Sequence, residues 1–93
     1  MSAIKMDAIP ALAPRTRVQV DQVTGEPVLL YPEGVLVLNE TARDVVEHCN
    51  GRQTVSEVIA ALAAEYDAPA EELALDVLEC LTQLVERNLV ILR

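Results

Sequence analysis

The chain of 93 residues has no tryptophan, no phenylalanine and only two tyrosines, Tyr31 and Tyr66. A core must therefore be built from Leu, Val, Ile and Ala, and a hydrophobic share of 52% is too high for a disordered segment. Positive charge is scarce: 7 Lys and Arg stand against 15 Asp and Glu, a formal net charge of −8. That balance disfavours DNA or RNA as the main partner, because neutralised phosphates and released counterions supply most of the affinity for nucleic acid. With only Cys49, Cys80 and His48 available, there is neither a disulfide framework nor the spacing of a metal site, and reduced thiols are expected. No apolar run approaches the roughly 18 to 20 residues that cross a bilayer. The opening stretch from Met1 to Pro14 carries an acidic residue and two prolines where a secretory signal needs unbroken apolar sequence. These absences predict a cytoplasmic chain without a membrane partner. There is also no phosphate loop, no dinucleotide glycine pattern and no nucleophile elbow, which argues for binding over catalysis.

A chain of this length holds one core. Residues 1–14, with Pro10 and Pro14, read as a flexible or partner-packed arm, and residues 15–93 as a single domain. Arg15 to Val20 alternates polar and apolar side chains, the period of a strand with one buried face. Asp21 to Gly25 supplies a turn. Two apolar runs, Val28 to Tyr31 and Val35 to Leu38, flank Pro32-Glu33-Gly34 and predict a β-hairpin with a type I turn. Both runs are apolar on both faces, so the second face or the free edge calls for a cover.

Asn39 is placed to cap a short helix carrying Ala42, Val45, Val46 and Cys49 at helical spacing and ending at Gly51. Thr54-Val55-Ser56-Glu57 is a capping box, followed by the stripe Val55, Val58, Ile59, Leu62 and Tyr66. Pro69 suits the first position of a third helix reaching as far as Asn88. At about 100° per residue, Leu73, Val77, Cys80 and Leu84 form one line, and Leu75, Leu78, Leu81 and Val85 widen the apolar arc to roughly 200°, about twice what docking on one core requires. This helix is therefore expected to touch two things, with Leu89 to Leu92 closing the chain as an apolar tail or strand. Glu71, Glu72, Asp76, Glu79 and Glu86 follow its outer face, the pattern of a solvated surface.

His48 and Cys49 are adjacent and cannot face each other on a helix, while Cys49 and Cys80 lie on apolar stripes and read as small core hydrophobes before nucleophiles. The strand Val35 to Leu38 has two readings. It is either buried between helices and the N-terminal arm, or it is a sheet edge whose free amides and carbonyls accept an added peptide strand.

The run from Val23 to Asn39, VTGEPVLLYPEGVLVLN, with Thr41-Ala42, Cys49-Asn50-Gly51, Thr54-Val55 and Tyr66, resembles the pyrroloquinoline quinone (PQQ) biosynthesis protein D family, PqqD, over about Pro14 to Leu92. Asn50 departs from the acidic residue usual there, within a helix-ending turn. The resemblance implies an α+β, winged-helix-like peptide-recognition domain, a three-stranded antiparallel sheet followed by three helices. It implies a carrier with no cofactor of its own, a RiPP recognition element that binds the precursor peptide PqqA and presents it to the radical S-adenosylmethionine enzyme PqqE. The guest would add beside the third strand, against the third helix. That assigns Val35, Leu36, Val37 and Leu38 to the groove with Leu75, Leu78 and Thr82 on one margin of the helix, or Leu73, Val77 and Leu84 on the opposite one. The competing classes are a winged-helix nucleic-acid-binding regulator, opposed by the net charge, and a small hydrolase or redox protein using Cys49 or Cys80. The open strand and the arm also invite a homodimer or strand exchange through the N-terminal region.

Overall fold

Residues 4–93 are described by a computed structural model. Its elements are β1 (Pro10–Leu12), β2 (Arg17–Val20), β3 (Pro27–Tyr31), β4 (Gly34–Val37), α1 (Glu40–Glu47), α2 (Val55–Tyr66), α3 (Ala70–Glu86) and β5 (Val90–Leu92). The antiparallel sheet β2-β3-β4 and the three helices agree with the α+β expectation. Between β2 and β3 the chain reverses because the Asp21 carboxylate accepts from the amide of Val23 at 2.8 Å and Gly25 adopts φ +76°, a conformation glycine enters without steric cost. The β3–β4 turn is the expected tight one, with Tyr31 opposite Gly34.

Local chemistry starts each helix where the sequence indicates. The Asn39 side chain accepts from the Ala42 amide at 2.7 Å, and the Thr54 and Glu57 side chains each accept the other's backbone N–H at 3.1 and 2.8 Å. Pro69 stands one residue before the third helix, which starts at Ala70 and ends at Glu86. α2 ends at Asp67 in the left-handed region, φ 52°.

Apolar faces of all three helices close over one side of the sheet. Leu29 of β3 and Leu38, just past β4, cluster with Val45 and Val46 of α1, Val58, Ile59 and Leu62 of α2, and Val77, Leu81 and Leu84 of α3. The fully buried side chains are all aliphatic. A core without aromatic rings has to gain its contacts from interlocking branched side chains.

The structure departs from expectation at the N-terminal end of the described chain, whereas the apolar tail or strand expected at Leu89 to Leu92 is a strand, β5. The part of the 1–14 segment that is described, from Ile4 onward, docks on its own chain, whereas residues 1–3 of that expected arm lie outside the described residues. Pro10 to Leu12 is extended, and as β1 it pairs antiparallel with β5 in a second, two-stranded sheet. On its other side, Pro10 accepts from the Gly51 amide and Leu12 donates to the Cys49 carbonyl. Ala8 and Met6 then accept from the Val55 and Ser56 amides at 2.8 and 3.0 Å, so the segment satisfies donors that the first turn of any helix leaves without partners. Proline at Pro10 is compatible with this pairing because only its carbonyl is used.

Two substitutions probe these termini. Thr54→Ala should lower stability by about 1 kcal/mol, and Asp67→Gly should raise it by about 0.5–1 kcal/mol by relieving the left-handed cost. Urea unfolding midpoints, which should move in opposite directions, check both.

Candidate functional site

β4 has a neighbour on one side only. Leu38 donates to the Pro27 carbonyl at 2.9 Å, and antiparallel bonding alternates residue by residue. Leu36 and Leu38 therefore turn their main-chain groups toward β3, while Val35 and Val37 turn theirs to the free edge. Side chains alternate too. Leu38 is buried and Leu36 packs against the core, whereas Val35 and Val37 are 56% and 60% exposed.

Across from this edge runs α3. Between them lies a cleft of about 130 Å³ with Leu36, Leu38, Ala42 and Leu84 at its apolar side and Cys80, Gln83 and Arg87 along the helix. It continues past Asn39, Ala42, Cys80 and Gln83 into a wider depression of about 350 Å³, bordered by Thr41, Asp76 and Glu79. The groove thus follows α3 for about three turns, from Asp76 to Arg87.

This geometry corrects the helix half of the expected site. Leu75, Leu78 and Thr82 do not border the cleft: Leu75 is 72% exposed, Leu78 packs against the core, and the Thr82 hydroxyl donates to the Leu78 carbonyl at 2.7 Å. Of the opposite margin, Leu73 and Val77 are consumed by the core, and Leu84 alone reaches the groove. The surplus leucines misled because the face toward β4 is the mixed one, Asp76, Glu79, Gln83 and Arg87, which by composition looks like solvent-facing helix. Cys80 and Ala42 carry the one signal available in the sequence, small side chains facing each other where two elements must stay apart. The strand half of the expected site, Val35 to Leu38, does border the cleft through Leu36, Val37 and Leu38.

Little here can do covalent chemistry. Burial and the nearby Cys80 push the Cys49 thiol up to about 12, and burial and then Glu79 push Cys80 up to about 11, so both stay protonated and poorly nucleophilic near neutrality. The Cys49 thiol donates to the Val45 carbonyl at 3.3 Å. His48 is engaged away from it, with Nδ1 2.9 Å from Gln53 Oε1 and Nε2 3.4 Å from Glu65. Tyr66 donates to the Asp44 carboxylate, tying α2 to α1, and burial followed by that bond and the surrounding carboxylates raises its hydroxyl to about 12. Among the described residues no three His, Cys, Asp or Glu side chains are grouped to hold a metal, and no helix is long and apolar enough to cross a membrane.

An unpaired strand edge beside a helix-lined groove defines a small recognition domain of the winged-helix type. A family model, Coenzyme PQQ synthesis protein D (PqqD), matches residues 26–90, and the chain belongs to that family. It is 39% identical over 89 residues to a PqqA binding protein of Xanthomonas campestris, covering 96% of this chain and 97% of that one. It is 34% identical over 70 residues to one of Methylococcus capsulatus, covering 75% of each. Among solved structures it is similar to the PqqD truncation of Methylobacterium extorquens PqqCD, described as a functional, stand-alone RiPP recognition element. That match has a TM-score of 0.83 at 30% identity, over 97% of this chain and 96% of the other. PqqD from Xanthomonas campestris matches with a TM-score of 0.56 at 39% identity, over 94% of this chain and 98% of the other.

The Cys49 thiol, buried in the core, gives a pH prediction. A group whose folded value lies above its unfolded one stabilises the fold fully below the unfolded value and loses that contribution as pH rises through the folded one. For Cys49, raised from 9.0 to about 12, the upper bound is roughly 4 kcal/mol. Stability should be flat to about pH 9 and fall toward pH 12. Cys49→Ala should start less stable at pH 7, through its cavity, but show a shallower alkaline fall in urea unfolding.

Proposed function

We propose that this chain binds the precursor peptide PqqA in pyrroloquinoline quinone biosynthesis, taking it as an added strand along β4 in the cleft against α3, and presents it to the radical S-adenosylmethionine enzyme PqqE. The observation that carries the strand-addition reading is the free edge of β4, where Val35 and Val37 offer main-chain donors and acceptors beside a groove. Family membership and the names of its relatives support PqqA as the guest. Main-chain bonds would supply affinity and the groove would select alternate side chains of the guest. Handing over a peptide held this way requires no chemistry from the carrier, in keeping with its thiols held protonated.

Winged-helix domains that read DNA place a helix against phosphates, which calls for basic residues on it. α3 carries Glu71, Glu72, Asp76, Glu79 and Glu86 and no Lys or Arg between Ala70 and Glu86. That face would repel a duplex.

Proline at the edge separates binding from folding. Val37→Pro removes an outward N–H without touching the bonds between β4 and β3, and prolines are tolerated at such edge positions. It should retain the circular dichroism spectrum of the parent yet weaken PqqA binding about tenfold in calorimetry, as expected for one lost hydrogen bond plus steric interference. Parent-like affinity in Val37→Pro would refute strand addition at β4.

A further inference from the structure

The groove has a charge gradient along its length. At the end where β4 passes into α1, it is bordered by Asp76 and Glu79. At the hairpin end it passes Arg87, which shares the next depression with Pro32 and Glu33. That depression in turn shares Thr16, Tyr31 and Pro32 with a shallow hollow of about 510 Å³ bordered by Arg15 and Arg17. Three arginines and one glutamate therefore stand at one end, and two carboxylates at the other.

None of these charges is spent internally. Among the described residues the sole ion pair of an arginine or lysine with a carboxylate is Arg43–Glu47, on the exposed face of α1. Arg15, Arg17 and Arg87 are exposed and unneutralised in a chain whose net charge is −8. Positive side chains are scarce here, and three of the 7 gather where the groove runs out.

Direction follows from the sheet. β2, β3 and β4 are mutually antiparallel, and a further strand continues that pattern with the better bond geometry if it too runs antiparallel. Such a guest enters with its N-terminal side by Asp76 and leaves with its C-terminal side by Arg87, the hairpin turn and Arg15. We infer that Arg87, Arg15 and Arg17 form a carboxylate-accepting extension of the groove. With Asp76 and Glu79 repelling acid at the other end, it orients an extended peptide whose acidic residues lie C-terminal to the segment that pairs with β4. This rests on the strand-addition reading and adds to it the guest's direction and charge pattern. Exposed charge pairs contribute little singly, so the extension sets orientation and speeds encounter more than it adds affinity.

The test uses isotope-labelled full chain titrated with PqqA. Nitroxide labels are placed in turn on the N-terminal and C-terminal flanks of the segment whose own signals shift. The C-terminal label should broaden the amides of Glu33, Arg87 and Asn88, and the N-terminal label those of Thr41 and Asp76. The triple variant Arg15→Gln, Arg17→Gln, Arg87→Gln should keep the parent amide spectrum elsewhere and bind about three- to tenfold more weakly at low ionic strength, with the gap closing in high salt. The reverse broadening pattern, or parent-like affinity in the triple variant at low salt, would overturn this inference while leaving strand addition standing. Absence of shifts at Val35 and Val37 in the parent would overturn strand addition itself, and this inference with it.

Discussion

A β-strand bonded on one side only is a liability in most proteins, since its free amides and carbonyls template association with any extended chain. Here that unpaired edge is the feature around which the domain is arranged. β4 is short, from Gly34 to Val37, and its inner side is anchored by Leu36 opposite Leu29 and by the buried Leu38. The neighbouring α3 borders the cleft beside this edge with Cys80, Gln83, Leu84 and Arg87.

α3 serves two surfaces at once. Leu73, Val77, Leu81 and Leu84 are taken up by the core, and the adjacent strip through Cys80, Gln83 and Arg87 borders the groove. Cys80 lies on the boundary between them, half-buried and too small to fill the gap toward Ala42. A leucine at either of those positions would close the groove by simple volume. The groove exists because small residues stand where the packing of two elements would otherwise meet.

β1 and β5 complete the other end of the molecule. By pairing with each other they keep the two ends of the described chain away from β4, and the carbonyls of Met6 and Ala8 finish the N-terminus of α2. The backbone needs of this region are met within the chain. The vacancy at β4 then stands out as the edge facing a groove.

Much of this was legible in the residues. The hairpin followed from apolar runs around Pro32-Glu33-Gly34, helix starts from Asn39 and from the Thr54–Glu57 box, and the aliphatic core from composition, because turns, caps and periodicity are local and act through neighbours in the chain. For the strand Val35 to Leu38, apolar on both faces, the residues leave open both a free edge and burial between helices and the N-terminal arm. Two things were decided only in three dimensions. The Pro-containing segment before Arg15 reads as a flexible or partner-packed arm because its partners, Asn50, Gly51 and the residues beyond Leu89, are remote in sequence. The residues leave open which margin of the helix lines the groove, Leu75, Leu78 and Thr82 or Leu73, Val77 and Leu84, because a hydrophobic arc records how much surface is apolar, but not which part faces the strand. That is fixed by how α3 rotates to bury Val77 and Leu81, a choice made by the whole core at once and leaving its polar flank to face β4.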